Sequence, residues 1–355
     1  MEKVVYLLGA GASYGVRDSK PESFKVQGIL SAFKESYECP KIIEGLPIVS
    51  ELSDRMLYII SRLEEEVNKI DFNSIGRALC QEIINDIKWA QKESLRHATI
   101  DTFAKKLWIT DRTKKDYNRL KRVISVFFTL EQYWGKTDKR YDSFFASLIK
   151  DMTVLLPENI SILSWNYDCQ MELALAEYLR SNDLHHIQGV LKMFHKNLVY
   201  DQVPTKGFNV IKLNGTALIY NKDDKSFVDL FNINKEDSIL DYLPVFAEDS
   251  VNLKNTLSFA WEQMSDTFQQ RIIDSISDAT ILVIIGYSFP YFNREIDKLI
   301  FNNLSKLKKV YIQDKSPDAI EESVRNLFTD YHRRVNNTVI EKKTNLNQFY
   351  LPPEL

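Results

Sequence analysis

Four segments share one hydrophobic pattern: an apolar, β-branched-rich run that stops abruptly at glycine, asparagine or another small polar residue. They are Lys3–Gly15 (KVVYLLGAGASYG), Ile160–Asp168 (ISILSWNYD), Val210–Thr216 (VIKLNGT, a shorter version) and Thr280–Pro290 (TILVIIGYSFP). Continuous apolar runs with no polar alternation predict strands buried on both faces, as in a parallel sheet. Turns placed at their carboxyl ends predict a ligand site along that edge. A further strand is read at Lys308–Asp314 (KKVYIQD).

Between the first two strands the period changes from that of a strand to that of a helix. In Glu51–Val67, residues Leu52, Met56, Ile59, Ile60 and Leu63 recur at helical spacing. Leu79, Ile83, Ile87 and Ala90 do the same in Ile75–Ala90. Arg119–Trp134 and Tyr141–Met152 read as two more helices. Further helices are expected over 167–181, 256–276, 293–305 and 316–328. Residues 182–208 read as a variable, loop-like stretch, and 217–220 as the start of a hairpin. The end of the chain reads as an edge strand with a loose end. The domain reading is a sheet domain of 1–20 and 153–335, a helical insertion of 21–152 and a tail of 336–355.

Composition narrows the function classes. The 355 residues are 44% hydrophobic, and 46 basic against 49 acidic residues leave a net charge of −3. That balance gives no support to nucleic-acid binding. The apolar runs are far shorter than a membrane span, and the chain enters a strand by about residue 3, which does not fit a signal peptide. Cys39, Cys80 and Cys169 are scattered, with no paired spacing for a disulfide framework or a zinc site. A reducing cytoplasm is the expected compartment, and no metal is expected. Glycine is scarce, 11 in all, yet Gly9, Gly11, Gly15, Gly215 and Gly286 sit at the strand ends. Such glycines serve close backbone approach or a positive φ.

The strand-end residues define the candidate chemistry, and each has a structural alternative. Gly9, Ala10, Gly11, Ala12 and Ser13 can cradle a pyrophosphate on backbone amides, or form a tight strand–helix turn. The acidic second strand of a dehydrogenase is missing, because residues 20–45 do not read as a βαβ unit. Asn166 and Asp168 are candidate catalytic residues, or helix caps. Asn214 and Gly215, taken by themselves, read first as a hairpin turn and only then as site residues. Gly286, Tyr287 and Ser288 can face a ribose or phosphate. Asp314 can accept from ribose hydroxyls, or cap the next helix. His185, His186 and His195 lie where a loop could fold over the site.

In the order GAGAS, WNYD, KLNGT and IGYS, the set resembles the SIR2-like proteins of bacteria, and in particular the NAD-consuming effectors of antiphage systems. The resemblance implies an α/β fold, a Rossmann-like parallel sheet that binds NAD, with helices in place of the zinc-binding module of the protein deacylases. It implies cleavage of the nicotinamide–ribose bond of NAD+. Carried over, Gly9–Ser13 would hold the pyrophosphate, and Asn166 the attacking water or the ribose. Asp168 would hold the nicotinamide or the ribose edge. Gly286 and Ser288 would contact the ribose and phosphate, and Asp314 or Gln313 the adenosine ribose. Asn214 stands where the family usually has a histidine base, and asparagine cannot take a proton at neutral pH. Three readings remain: catalysis through Asn166, a histidine such as His186 or His195 as substitute base, or binding of NAD or ADP-ribose without cleavage. The choice of NAD over NADP is open. The resemblance also implies restraint by a homo-oligomer or a defence partner, such as a HerA-type ATPase.

Overall fold

The computed structural model describes residues 2–13, 24–25, 38–39, 49–69, 74–134, 137–196, 206–221, 226–227, 253–328 and 338–355. Gly15 lies outside them. The chain divides into two compact units. One comprises Met1–Val16, Thr137–Thr216 and Thr256–Leu355; the other comprises Arg17–Lys136 and Ala217–Asn255.

The first unit is built on a seven-stranded sheet. Its strands are β1 (Val4–Leu8), β4 (Ile160–Ser164), β5 (Met193–His195), β6 (Asn209–Lys212), β10 (Ile281–Ile285), β11 (Lys309–Gln313) and β12 (Val339–Lys343). Their spatial order is β12-β11-β10-β1-β4-β6-β5, and every pairing is parallel. β1 is central, with Val4 opposite both Ile160 and Ile281. The chain lays strands to one side of β1, then crosses to β10 on the other. That reversal makes the carboxyl ends of β1 and its neighbours the topological switch point of a Rossmann-like α/β fold, where such sheets bind ligands.

The sheet is covered on both faces, which explains the unbroken apolar runs. Side-chain alternation sends Val5, Leu7, Leu163, Ile211, Leu282, Ile284, Val310 and Ile312 to one face. There they meet helices α8 (Asp266–Ile276), α9 (Arg294–Asn303) and α10 (Pro317–Leu327) through Phe268, Ile272, Ile300, Phe301 and Val324. Tyr6 points to the other face and packs edge-on against Phe144 of α5 (Lys139–Leu148), with ring centroids 5.3 Å apart. Helices α6 (Gln170–Leu179) and α7 (Leu184–Val190) follow β4.

The second unit contains α1 (Val49–Lys69), α2 (Ser74–Ser94), α3 (Ile100–Thr110) and α4 (Lys115–Trp134). It also holds an antiparallel three-stranded sheet of β7 (Ile219–Asn221), β8 (Ser226–Phe227) and β9 (Leu253–Asn255), and the two-residue pair β2 (Phe24–Lys25) and β3 (Glu38–Cys39). The helical spacing read from the sequence coincides with burial: Leu52, Met56, Ile59, Ile60 and Leu63 are all inside. A buried ion pair joins Arg55 to Glu131. Among the described residues no helix is long and apolar enough to cross a membrane.

Several local expectations change. Residues 182–208 are not all loop: Asp183 caps α7 by accepting from the amides of His185 and His186, and β5 follows at the sheet edge. The helix expected over 256–276 begins only at Asp266, where the Ser265 hydroxyl caps it; Leu257 and Phe259 lie buried ahead of it in irregular backbone. Gly9–Ser13 opens no α-helix within the described residues but makes one 3-10 turn, Ala10–Ser13. The end of the chain is not loose. Gln313 Nε2 donates to the carbonyls of Asn345 and Gln348, its Oε1 accepts from the Tyr350 amide, and Phe349 is buried.

Candidate functional site at the carboxyl edge of the sheet

The turns after β1 and β10 are in backbone contact. Gly9 N donates to Ile285 O at 3.0 Å and Gly11 N to Gly286 O at 2.9 Å. Gly286 has φ +56°, and a Cβ there would lie 2.4 Å from the backbone of Gly11; a Cβ on Gly9 would lie 2.5 Å from Gly286 O. These glycines are thus required by the neighbouring turn. The Gly11 and Ala12 amides are both bonded within the protein, Ala12 N to Gly9 O at 2.9 Å. Arg140 donates to the carbonyls of Gly11 and Ala12 at 3.3 and 3.1 Å and is itself held by Asp138 at 2.7 Å. With the amides of Gly9, Gly11 and Ala12 committed, the pyrophosphate cradle expected of this turn is narrower than its glycines suggested.

Ser13 and Asn166, far apart in sequence, are brought together. Asn166 Nδ2 donates to Ser13 Oγ at 2.9 Å, and Ser13 Oγ lies 2.8 Å from Tyr141 Oη. All three are buried. Burial, with the Asp168 carboxylate nearby, pushes the Tyr141 phenol well above its usual range, so it stays protonated. Tyr141 escaped the sequence reading because it occupies an apolar position of a helical pattern, with no local signature.

Asp168 Oδ1 accepts from Gln170 N at 3.1 Å. That local i to i+2 bond lies just ahead of α6, whose N-cap is Cys169 and whose first residue is Gln170, so the helix does not start between Asn166 and Asp168. Asp314 likewise accepts from Ser316 N at 2.8 Å ahead of α10. Gln313 is taken up by the C-terminal segment described above, which removes it as a ribose contact.

Trp165 stacks on Tyr287, with centroids 5.7 Å apart and planes 15° from parallel. Tyr287 Oη donates to Asp297, 2.9 Å from Oδ1, and accepts from Asn293 Nδ2 at 3.0 Å. Burial pushes the Asp297 carboxyl up to about 8, against the pull of the Tyr287 hydrogen bond. Ser288 is exposed. Phe289 next to it adopts φ +54° ahead of Pro290, a left-handed conformation rare for an aromatic residue and a local store of strain.

Asn214 is buried. Its Nδ2 lies 3.5 Å from Trp165 O and 3.4 Å from Tyr167 Oη, while its Oδ1 has no hydrogen-bond partner among the described residues. The same is true of the buried indole Nε1 of Trp165. Gly215, at φ +68°, could not carry a Cβ, which would fall 1.9 Å from Thr256 O.

The histidines divide. His185 and His186 are exposed on α7. His195 is no loop residue; it is fully buried in β5, and burial together with the Lys212 charge pushes its pKa down to about 3. It stays neutral and is a poor proton acceptor at neutral pH. Among the described residues no group of three or more histidine, cysteine or acidic side chains is placed to hold a metal.

No family model matches this chain, and no curated protein does. Six solved chains match. One is the structure of Sir2Tm bound to a propionylated peptide, 10% identical, covering 98% of this chain and 88% of that one, with a TM-score of 0.33. At that identity and score the likeness carries no argument about activity, and the Rossmann-like fold class stands on the strand order of this chain itself.

Proposed function

We propose that the sheet unit binds NAD+ at the switch point and hydrolyses its nicotinamide–ribose bond. The observation that carries this reading is the Asn166–Ser13 hydrogen bond, which joins the ends of β4 and β1 where the glycine turn of β10 also arrives. The sequence resemblance supplies the reaction class. In that reaction water adds to the anomeric carbon, nicotinamide leaves with the bonding pair, and ADP-ribose and a proton are released.

Each residue then has a physical task. Ser13 fixes the orientation of the Asn166 carboxamide, which aligns the attacking water. The Asp168 carboxylate favours the positive charge that develops on an oxocarbenium-like ribose. Asn214 Oδ1 and Trp165 Nε1–H, without partners among the described residues, offer one acceptor and one donor to a polar ligand. Unrestrained NAD+ hydrolysis would harm the cell that makes the enzyme. We therefore assign control to assembly or to a defence partner, with the helical unit as the contact surface, in the cytoplasm.

The test is nicotinamide release from NAD+ by the purified protein, with the mass of the same sample recorded. Release that Asn166→Ala abolishes supports the reading, and full turnover in Asn166→Ala overturns the site.

One observation favours a second reading, a regulatory module that binds NAD+ or ADP-ribose without cleaving it: Asn214 directs its amide nitrogen to Trp165 O and cannot act as a base. A large gain in turnover for Asn214→His would support a binding protein.

A further inference from the structure

The ladder between β4 and β6 ends at Leu213 N, which donates to Ser164 O at 2.8 Å. Trp165 N still donates to Leu8 O of β1 at 2.9 Å, and from there to Asp168 the backbone leaves the sheet. Its carbonyls are then taken, one after another, by side chains from a single segment. Asn214 Nδ2 reaches Trp165 O at 3.5 Å, and Lys212 Nζ reaches Asn166 O at 3.5 Å. Thr216 Oγ1 donates to Tyr167 O at 3.2 Å, and Lys212 Nζ also donates to Asp168 O. Thr216 is held in turn, its carbonyl accepting from Thr256 Oγ1 at 2.9 Å.

Lys212 is the costly member. Its side chain is 2% exposed, and its counter-ion Glu172, 4.0 Å away, is wholly buried. Gln188 steadies the other oxygen of Glu172 at 3.4 Å. Burial works against the ammonium, yet the Glu172 and Asp168 carboxylates outweigh it and raise its pKa, so Lys212 stays charged. A buried ion pair is a poor source of stability, and apolar residues of the same volume often do better. What an ammonium supplies here is several N–H donors for two carbonyls of one peptide segment.

We infer that Lys212, with Thr216 and Asn214, is a positioning brace that sets the carboxyl end of β4 and so aims Asn166 and Asp168. This rests on the reading of those two residues as the catalytic pair. The KLNGT segment then acts on the reaction through backbone geometry.

The charge-neutral double variant Lys212→Met with Glu172→Gln removes the carbonyl contacts and both members of the buried ion pair, leaving Asp168 as the one nearby carboxylate that loses a cation. Nicotinamide release should fall roughly 100-fold in kcat, with KM for NAD+ little changed, as expected for a misplaced reacting group. Hydrogen exchange of peptides spanning 163–170 should speed up, while peptides over β10 stay protected. If the double variant fails to fold, Thr216→Val keeps the ion pair and should give the same pattern at smaller size. Wild-type kcat in a folded variant overturns the inference, whether or not exchange rises. If the wild-type protein releases no nicotinamide in any assembly state, the functional reading fails. Exchange then decides the brace alone, and unchanged exchange over 163–170 overturns it.

Discussion

Asn166 donates to the Ser13 hydroxyl at 2.9 Å, and the Tyr141 phenol lies 2.8 Å from the same oxygen. A short side chain in the turn after β1 thus fixes the one carboxamide at the end of β4, with a tyrosine from α5 behind it. The arrangement predicts that Ser13→Ala costs about 1–3 kcal/mol, because Asn166 Nδ2 and Tyr141 Oη both lose a buried partner. Nicotinamide release should drop more steeply than binding of ADP-ribose does. Chemical denaturation and a kcat measurement on the same sample check both parts, and a kcat equal to wild type would show that Ser13 does not orient Asn166.

Glycines of this chain should differ sharply in tolerance. Gly286→Ala puts a Cβ 2.4 Å from the Gly11 backbone, at φ +56°. Neither turn can move without breaking the Gly11–Gly286 hydrogen bond, so loss of several kcal/mol or of soluble protein is expected. Gly189 lies inside α7 with nothing within 4 Å of the added atom. Gly189→Ala should therefore be neutral or stabilising by about 0.4–1 kcal/mol. Melting temperatures of the two variants side by side test the contrast.

These positions also show how far the sequence could be read. The apolar runs of β1, β4, β10 and β11 were legible because a strand covered on both faces leaves no polar alternation to confuse it. Gly9, Gly11 and Gly286 were legible as positions of close backbone approach, and Gly286 also has the positive φ; what stayed hidden is that the backbone they approach is each other's turn, which only the pairing of β1 with β10 reveals. β5 was hidden because three buried residues carry no period. Tyr141, Gln313 and the Lys212 brace were hidden for a different reason. Their partners lie 128, 35 and 44 residues away along the chain, and no local pattern encodes such a distance.

Asp297 should make stability fall as pH rises. Its folded pKa of about 8 lies above the ordinary value of 3.8, so the folded protein holds a proton that the unfolded chain has lost. The favourable protonated state is fully present below about pH 4 and is lost as pH climbs through 8, a penalty on the order of 5 kcal/mol. Asp297→Asn keeps the size and a hydrogen bond to Tyr287 but removes the titration. The difference in unfolding free energy between pH 5 and pH 8 should shrink in the variant by a few kcal/mol.

His195 predicts the opposite slope on the acid side. Its folded pKa of about 3 lies below 6.5, so its contribution is present above about pH 6.5 and lost as pH falls toward 3. As it stays neutral throughout the range where the enzyme would work, the pH–rate profile should carry no limb from it. His195→Gln should keep kcat for nicotinamide release within a few-fold. A loss of two orders of magnitude in a folded variant would make His195 part of the chemistry after all.

Phe349 links the end of the chain to the same network. Its ring meets Tyr141 edge-on at 4.9 Å and Phe144 at 5.8 Å, and the Arg140 guanidinium lies 5.5 Å from its centroid. Arg140 holds the carbonyls of the Gly9–Ser13 turn, and Tyr141 holds Ser13. Phe349→Ala should cost about 3–5 kcal/mol, the range for truncating a buried phenylalanine. It should also reduce nicotinamide release in the protein that remains folded, since Arg140 and Tyr141 both lose their backing. Leu355, partly exposed at the terminus, has no such packing to lose, and Leu355→Ala should stay within about 0.5 kcal/mol of wild type. A Phe349→Ala protein with unchanged stability would show that the C-terminal segment is not part of the structure that supports the Ser13–Asn166 contact.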